Sequence, residues 1–484
     1  MAGDDVQGLI DENRRLGTEN SALRAENQRL VRRVEALEHR LVKGSSTSSR
    51  PPSSDGPAER AEQTQTRAQR RAEEKRNRRL EVRRRGKQPG APGSSLEMAT
   101  PDEVVESTPT SCAGCGADLA DADVVGQEVR QVLDVPVPTV RCVEHRAQKK
   151  RCRCETTTTA AFAAQARGRV YYGPRLRAVA LYLLYGQYLS VERTVDALEA
   201  LTGATVSAGW VCALAAEAAA DLTVFIHQLT AQLAAEPVVC VDETEHQVHQ
   251  ARWWLHTVAT ERHSFLFASR TRGKAAPDEA GVLPEFTGTI VHDRLSLYFS
   301  YTQATHALCG AHLLRDLAAV AQIDGQGWAS AMAIVLTQLN DAATTARDAR
   351  AGAVTASVLD KLLVRYDELV ALGLAATYAS PGHVRDSLER EARNLAVCFS
   401  KRKDEITRFA TDLTVPFTNN TAERSFRTAK IHRKISGCFQ AEAHARHFAT
   451  IRSYLDTARK HRADALDVLT ALFRGTPWTI PSTT

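Results

Sequence analysis

Residues 238–242 read Val-Val-Cys-Val-Asp, and residues 289–293 read Thr-Ile-Val-His-Asp. Each is a short apolar run that closes on an aspartate, which is typical of a buried β-strand. Two acids at equivalent strand ends fall where open sheets bind ligands, and their repulsion favours a divalent cation between them. The alternative for either acid alone is a turn or a helix cap. The pair therefore predicts a metal site at Asp242 and Asp293.

The segments after the first run have the composition of further strands. Residues 252–258 and 264–268 are rich in aromatic and β-branched residues and follow in close succession, so we expect an antiparallel meander. Glu243 is a rival to Asp242 as metal ligand. Neighbouring side chains on a strand point to opposite faces, so the two cannot both face the site, and we favour Asp242.

A third acid, needed to hold two hard cations, lies in residues 416–427, which read Pro-Phe-Thr-Asn-Asn-Thr-Ala-Glu-Arg-Ser-Phe-Arg. The Asn-Asn-Thr run at 419–421 would cap a helix and place Glu423 in its first turns. The alternative is an exposed i,i+4 pair of Glu423 with Arg427. Basic residues of the same segment would form a surface suited to DNA phosphates: Arg424, Arg427, Lys430, Arg433 and Lys434.

Two close pairs of cysteines mark a second metal site. Cys112-Ala-Gly-Cys115 and Cys152-Arg-Cys154 flank alternating apolar residues, which fits a small strand-rich module around one structural Zn²⁺ held by these four thiolates. The glycine after Cys115 frees a turn in which backbone amides can face the sulfurs. Incidental reduced cysteines are the alternative. Substitute ligands near the second pair are Cys142 and His145.

The N-terminal segment carries a heptad repeat. Leucine recurs every seventh residue from Leu9 to Leu37, and Asn13, Asn20 and Asn27 lie on the same seam. So strict a period implies supercoiling around a partner helix, and Asn at the a position favours two strands in register. We expect a leucine zipper that makes a homodimer or higher oligomer. The alternative is a lone amphipathic helix packed on its own protein.

A linker rich in Ser, Pro and Gly follows the zipper and becomes strongly basic. Residues 67–87 hold eleven Lys and Arg against three Glu, although the whole chain has a net charge of only +5. Such a concentration points to a polyanion partner, because each phosphate contact releases condensed counterions. A solvated, unspecific tail is the alternative. The residues expected to contact DNA here are Arg83, Arg84, Arg85 and Lys87.

Residues 171–232 are rich in Ala and Leu with helical periodicity. The stretch 201–207 interrupts them with a turn that contains Gly203, and a second helix would open at Ser207. This pattern is typical of a helix-turn-helix, whose second helix can enter a major groove. Plain helix packing is the alternative.

The composition excludes several classes of protein. The chain has 484 residues, of which 43% are hydrophobic and 25% charged, so it is neither disordered nor fibrous. No apolar run approaches the roughly 20 residues of a membrane span, and the N-terminus has no signal-peptide pattern. Ten cysteines are too sparse for a disulfide framework. We therefore expect a cytoplasmic protein with no membrane partner.

Eight features follow one another along nearly the whole chain. They are the zipper, the basic stretch ending in Gln-Pro-Gly-Ala-Pro-Gly, the cysteine pairs, Tyr-Gly-Pro-Arg at 172–175, Val-Asp-Glu-Thr at 241–244, Val-His-Asp at 291–293, Cys-Gly-Ala-His at 309–312 and Asn-Asn-Thr-Ala-Glu-Arg at 419–424. This order resembles bacterial transposases of the insertion-sequence-sixty-six family. The resemblance implies an RNase H-like core in which Asp242, Asp293 and Glu423 form a DDE triad, with a helical insertion between the last two acids.

One motif departs from the family. Where relatives have an aromatic residue in the Cys-x-Ala-His stretch, this chain has Gly310. We expect Cys309 and His312 to be a structural pair near the active site rather than metal ligands, with His312 placed to touch DNA or to support the acids.

The expected fold is multidomain α+β. In chain order it comprises a leucine-zipper coiled coil (1–43), a flexible basic linker (44–100), a zinc-binding module (101–157), a helical, helix-turn-helix-like region (158–232), the first part of an RNase H-like α/β catalytic core (233–300), a helical insertion (301–410), and the last part of the core with C-terminal helices (411–484).

The resemblance implies a DDE transposase that cuts and joins DNA at the ends of an insertion sequence. Two Mg²⁺ ions held by the triad would activate water or a 3′-hydroxyl and stabilise the leaving oxygen. The implied partners are double-stranded DNA (terminal inverted repeats and target) and small companion proteins of the same element, in the bacterial nucleoid. We expect Trp253 and Trp254 to fill the core, with stacking of an exposed ring on a displaced base as the alternative.

Two other functions compete with this interpretation. The first is a catalytically inactive DNA-binding regulator or domesticated relative, in which the zipper, zinc and basic segment are the working parts. The second is a nuclease on the same core that cuts without joining.

Overall fold

The computed structural model of the chain describes residues 98–134, 140–162, 168–323, 326–378 and 387–481. The expected coiled coil (1–43) lies outside the described residues, and so do the basic residues of the linker, Arg83, Arg84, Arg85 and Lys87. The described residues fall into two compact units, with the boundary between Arg141 and Cys142.

The unit that ends at Arg141 contains a tight cysteine turn. Ser111 and Asp118 form an isolated antiparallel bridge, and inside it the amide of Cys112 donates to the carbonyl of Ala117 at 2.8 Å. Gly116 has a φ of +74°, in the left-handed region that favours glycine. The turn predicted after Cys115 is therefore confirmed.

The second unit opens with a hairpin and a helical region. Strands β1 (Lys149–Arg151) and β2 (Thr157–Thr159) pair antiparallel, and the turn between them carries Cys152 and Cys154. The helices that follow are α1 (Pro174–Leu181), which continues into a π-helical turn at Tyr182–Gly186, α2 (Val191–Thr202), α3 (Ala208–Asp221) and α4 (Thr223–Ala234).

The break between α2 and α3 has the residues that end and begin helices. Gly203 follows α2 with a φ of +70°, and the Ser207 hydroxyl caps α3 by accepting a hydrogen bond from the Trp210 amide at 3.1 Å. Helix α3 buries Val211 and Leu214 in the core. The predicted turn is thus confirmed and α3 has a packing role, while its role in DNA binding stays a prediction.

A five-stranded mixed sheet follows the helical region. Its strands are β3 (Val238–Val248), β4 (Ala251–Ala259), β5 (Ser264–Ser269), β6 (Thr289–His292) and β7 (Thr305–Leu308), in the spatial order β5-β4-β3-β6-β7. Strands β3, β4 and β5 form the expected antiparallel meander, whereas β6 runs parallel to β3 and β7 parallel to β6.

Strand β3 is longer than the sequence predicts. It continues past Asp242 to Val248, because its second half still pairs with β4. Asp242 therefore does not lie at the end of a strand, and that expectation is wrong. It lies just beyond the parallel pairing with β6, whose last registered pair is Cys240 with Val291.

Helices make up most of the remaining chain. They are α5 (Ala275–Glu279), α6 (Gly310–Val320), α7 (Gly327–Asp348), α8 (Ala356–Tyr378), α9 (Ser387–Lys401), α10 (Lys403–Thr411), α11 (Asn420–Ser436), α12 (Glu442–Lys460) and α13 (Ala465–Phe473), with a 3₁₀ turn at Tyr298–Ser300. The sheet strand β7 lies inside 301–410, the range expected to be a helical insertion, so the long helices of this range begin only after the sheet is complete.

Alternation along β3 divides the apolar core between the two faces of the sheet. Val239 and Val241 pack in a cluster with the helical region, α12 and α13, whereas Cys240 packs with α6 to α10. Because side chains alternate along a strand, Asp242 shares the face of Cys240, and Glu243 shares that of Val241.

The edge strand β5 is covered by α12. The hydroxyl of Ser453 accepts a hydrogen bond from the amide of Leu266 at 2.8 Å, and that of Thr457 accepts one from Ser264 at 3.1 Å. These side chains satisfy backbone donors that an open sheet edge would leave unpaired.

No single helix in the described ranges is long and apolar enough to cross a membrane. One bent pair, α3 with α4, meets the length and composition criteria together.

Candidate metal centre

Asp242 lies in β3, and Asp293 directly follows β6, the parallel strand next to it. Each stands two residues beyond the registered pair formed by Cys240 and Val291. Burial raises the pKa of Asp242 well above its usual range, and the nearby charges of Asp293, Glu243 and Glu423 raise it further. The structure therefore brings the two aspartates together, and Asp242 is costly to ionise without a compensating cation.

Glu423 reaches the same place from the first turn of α11. The buried side chain of Asn419, just before this helix, donates from Nδ2 to the carbonyl of Val241 at 2.7 Å. Asn419 thus occupies the predicted cap position, but its side chain makes no capping bond. It joins α11 instead to the backbone of β3 next to Asp242, which is how residues far apart in the chain converge.

Glu243 is held by other side chains. One carboxylate oxygen accepts hydrogen bonds from Arg272 Nε at 3.0 Å and Nη2 at 2.6 Å, and the other accepts one from the Tyr298 hydroxyl at 2.7 Å. Burial raises the pKa of Glu243, with Asp293 as the next cause, while Tyr298 and Arg272 act against it. Because both oxygens are engaged, Glu243 is a weaker candidate ligand than Asp242.

Sequence reasoning missed Arg272 and Tyr298. Neither lies in a motif with a recognisable spacing, and only the fold places them against Glu243. Arg272 also lies over the ring of Trp254, 4.9 Å from its centroid. Trp253 is 1% exposed, as expected of a core residue, so its ring cannot stack on a base in this conformation.

Cys309 and His312 lie beside Glu423. The sulfur of Cys309, a ring nitrogen of His312 and a carboxylate oxygen of Glu423 all lie within 4.8 Å of one another. His312 Nδ1 is 3.8 Å from Glu423 Oε1. The alternative expected for Glu423, a pair with Arg427, does not occur among the ion pairs of the described residues. Cys309 and His312, the pair expected near the active site, therefore lie next to Glu423.

Packing against Phe417 explains the glycine at position 310. A Cβ at this position would lie 2.1 Å from a ring carbon of Phe417, and the amide of Gly310 donates to the Phe417 carbonyl at 2.8 Å. The ring of Phe417 therefore fills the space next to the Cys-Gly-Ala-His stretch.

A cleft of about 400 Å³ adjoins Asp293. Its lining includes Arg294, which pairs with Asp316, and Arg402, whose guanidinium lies 4.0 Å from the centroid of the Phe299 ring. Arg402 comes from the end of the helical range 301–410, so the sequence offered no signal that it lies close to the second aspartate.

The five basic residues predicted on α11 are all exposed. Within the part of the chain that the structure describes, none of these five side chains forms a salt bridge, so their charges are free to meet phosphates. They are Arg424, Arg427, Lys430, Arg433 and Lys434.

The two cysteine pairs have local environments that favour thiolates. At Cys112, hydrogen bonds from the backbone of Cys115 and Gly114 lower the pKa of the thiol. At Cys154, hydrogen bonding to Thr156 lowers the thiol pKa to about 7. Donors aimed at sulfur in this way suit a thiolate that binds zinc.

Comparison with protein families decides the classification. A model of the transposase IS66 family matches residues 169–447, more than half of the chain, and this range includes the three acids. The chain belongs to the IS66 transposase family. The zinc-finger binding domain of transposase IS66 matches residues 109–155, which cover both cysteine pairs. The chain thus carries a zinc-finger domain of this family, as predicted.

A third match covers the N-terminal part of this IS66 transposase. Residues 4–97 match a family of unknown function, and they include the predicted zipper and basic segment. No curated protein matches the chain.

Proposed function

We propose that the protein is a DDE transposase that cuts and joins DNA at the ends of its insertion sequence, with Asp242, Asp293 and Glu423 as the catalytic acids. The observation that carries this proposal is the convergence of the three acids. Asn419 Nδ2 donates to the Val241 carbonyl at 2.7 Å and so holds the start of α11 against β3 next to Asp242. Burial raises the pKa of Asp242, and the charges of Asp293 and Glu423 raise it further. Carboxylates placed together in this way are characteristic of cation sites.

The sheet supports an RNase H-like catalytic core. In support, the sheet has three antiparallel strands followed by two parallel ones, in the order β5-β4-β3-β6-β7, with Asp242 in β3 and Asp293 directly after the adjacent strand β6. Helices α7 to α9 come between the sheet and α11, which suits a helical insertion between the second and third acids.

The residues present fit Mg²⁺. The site offers carboxylate oxygens, which are the ligands that Mg²⁺ prefers, and their repulsion is relieved by divalent charge. Two bound Mg²⁺ ions would activate a water or a 3′-hydroxyl for in-line attack on the phosphodiester and would stabilise the leaving oxygen. The three acids would hold the ions, and Asn419 would keep Glu423 in position through Val241.

Other parts of the chain would bind the nucleic acid. The exposed cations of α11, together with Arg83, Arg84, Arg85 and Lys87, would hold the DNA backbone. Arg294 and Arg402 line a cleft next to Asp293 in which a strand could lie. The zinc module, with Cys112, Cys115, Cys152 and Cys154 as ligands, and the α2–α3 region would recognise the terminal repeats. The zipper would pair protomers so that two element ends meet.

The test is cleavage and joining of a linear fragment that bears the element's ends, in Mg²⁺. Asp242→Asn, Asp293→Asn and Glu423→Gln should each reduce cleavage at least about 1,000-fold while DNA binding is retained. Glu245→Gln is the matched control, because Glu245 is an exposed acid on the same strand. Cleavage that survives the three substitutions would reject the triad, and binding without any cleavage would favour an inactive regulator.

A pre-cleaved end separates the transposase from a nuclease. If the protein joins such an end to target DNA and the triad variants do not, strand transfer belongs to this site. Cutting without joining would identify a nuclease on the same core.

A further inference from the structure

The cluster formed by Cys309, His312 and Glu423 combines three different donor atoms. Cys309 immediately precedes α6, His312 lies in its first turn, and Glu423 faces them from α11. The ligand atoms lie within 4.8 Å of one another, and His312 Nδ1 is 3.8 Å from Glu423 Oε1. Around a tetrahedral zinc ion, ligand atoms are about 3.5 Å apart, so small side-chain rotations of Cys309, His312 and Glu423 would bring the three atoms into range.

Cys309 and His312 are both buried, and burial raises the pKa of the Cys309 thiol, so this thiol keeps its proton until a cation replaces it. His312 is nine-tenths buried, and among the described residues its Nδ1 atom has no hydrogen-bond partner. A buried polar atom without a partner is costly and calls for an explanation such as a missing ion. Cys309 is 1% exposed, and its sulfur accepts a hydrogen bond from the Asn419 amide at 3.2 Å. That amide would stabilise the sulfur as a thiolate once a cation takes the place of its proton.

The donor set distinguishes this cluster from the Mg²⁺ site. Sulfur and imidazole nitrogen are poor ligands for Mg²⁺ and good ones for Zn²⁺. Glu423, however, belongs to both sets, because the bond of Asn419 Nδ2 to the Val241 carbonyl, 2.7 Å long, holds the first turn of α11 against β3 next to Asp242. One carboxylate on α11 thus lies between a hard site on the β3 side and a soft site on the α6 side.

We propose that Cys309, His312 and Glu423 form a second zinc site that competes with the catalytic metal site for Glu423. Zinc binding here displaces the thiol proton of Cys309 to the solvent and turns Glu423 away from the aspartates. Zn²⁺ is therefore an inhibitor of the transposase that acts through its own ligands rather than by replacing Mg²⁺ between the acids. The inhibitory part of this proposal rests on the proposed function, whereas the binding part does not.

Cobalt binding tests the site without reference to activity. The full-length protein is first loaded with one equivalent of Zn²⁺ to fill the zinc-finger domain, and is then titrated with Co²⁺. We expect the absorption of tetrahedral cobalt with a thiolate-to-metal charge-transfer band in the near ultraviolet. Cys309→Ser should lose that band, and His312→Gln should weaken cobalt binding at least about tenfold. The matched control is Cys212→Ser, which removes a thiol from α3.

Two variants keep the test decisive if one of them folds poorly. A charge-transfer band that persists in both Cys309→Ser and His312→Gln overturns the site, as does its absence from the wild-type protein. Loss of the band in either folded variant, with the band kept in Cys212→Ser, supports it.

Inhibition tests the competition for Glu423. Cleavage in constant Mg²⁺ is measured against buffered free Zn²⁺, and Cys309→Ser should require at least about tenfold more zinc for half-inhibition than the wild type. Equal zinc sensitivity overturns the competition even if cobalt binds. If no cleavage occurs in Mg²⁺ alone, the proposed function fails, and the cobalt titration still decides whether the site exists.

Discussion

The cysteine turns and the acid site prepare ligands for cations in opposite ways. Hydrogen bonds from the backbone of Cys115 and Gly114 lower the pKa of Cys112, and Thr156 lowers that of Cys154 to about 7. Burial and neighbouring acids instead raise the pKa of Asp242. Local hydrogen bonds therefore favour ionisation of the two thiols before a metal binds, whereas burial and neighbouring acids oppose ionisation of Asp242 until a cation binds.

The difference follows from how far apart the contributing residues are in the chain. The groups that tune Cys112 and Cys154 lie within three residues of them. The pKa of Asp242 is raised by its burial and by the charges of Asp293, which follows β6, and Glu423 of α11. The position of α11 depends on the hydrogen bond of Asn419 to Val241. Disruption of a thiol turn should therefore affect zinc alone, whereas disruption of α6 or α11 should affect both stability and chemistry.

Among the substitutions that test this comparison between the thiols and the acids, the largest expected effect is on zinc affinity. Cys112→Ser should lower the affinity for the tightly held zinc ion at least about 100-fold, because a four-ligand site loses one thiolate. Zinc content after dialysis measures this, with Cys309→Ser as the control that keeps the tight ion. Applied to Cys142→Ser, the same measurement shows whether that thiol is a substitute ligand. Full zinc retention in Cys112→Ser would remove that residue from the ligand set.

The next effect concerns the anchoring of α11. Asn419→Ala removes the donor to the Val241 carbonyl, and we expect a cost of about 1–3 kcal/mol in the free energy of unfolding with about a tenfold loss of cleavage. Urea unfolding and the cleavage assay measure the two. Asn420→Ala is the control, because Asn420 is exposed at the start of the same helix. Equal behaviour of the two variants would show that the Val241 bond does not position Glu423.

A smaller effect, on stability alone, is expected at Gly310. Gly310→Ala places a methyl group against the Phe417 ring, and overpacking of this kind costs about 1–3 kcal/mol. Gly327→Ala is the control, because nothing lies within 4 Å of a Cβ there. Urea unfolding should show a loss for the first variant only. An equal response would mean that Phe417 moves aside freely.

The smallest effect is on the pH dependence of stability. Because the pKa of Asp242 is raised in the folded state, that state binds more protons than the unfolded chain once the pH exceeds about 4, so the metal-free protein loses stability as pH rises through the raised value. Asp242→Asn should reduce this loss and raise the Tm at neutral pH by about 2 °C. Mg²⁺ should stabilise the wild type more than the variant.

Thermal unfolding from pH 4 to 8, with and without Mg²⁺, measures the effect. A wild type and a variant with parallel pH profiles would show that the pKa of Asp242 is not raised in the folded protein.

Much of the sheet could be predicted because alternation and β-branched composition are local properties. The meander, Asp293 after β6 and the turn at Gly203 followed from residues a few positions apart. The end of β3 could not be predicted, because the strand continues only where β4 supplies a partner. The role of Asn419 could not be predicted either. The sequence pattern predicted a side-chain cap for the helix, whereas in the structure the side chain donates to the Val241 carbonyl.

By itself, the sequence determined the cysteine turns, the alternation of β3 and the family motifs, since each depends on spacing within a short stretch. Only the tertiary structure decided that Glu243 is held by Arg272 and Tyr298, that Phe417 faces Gly310, and that Glu423 lies beside both His312 and the aspartates. The physical reason is that desolvation, repulsion between acids and steric fit arise between groups that are close in space but distant in the chain, so they exist only after the sheet and α11 have packed together.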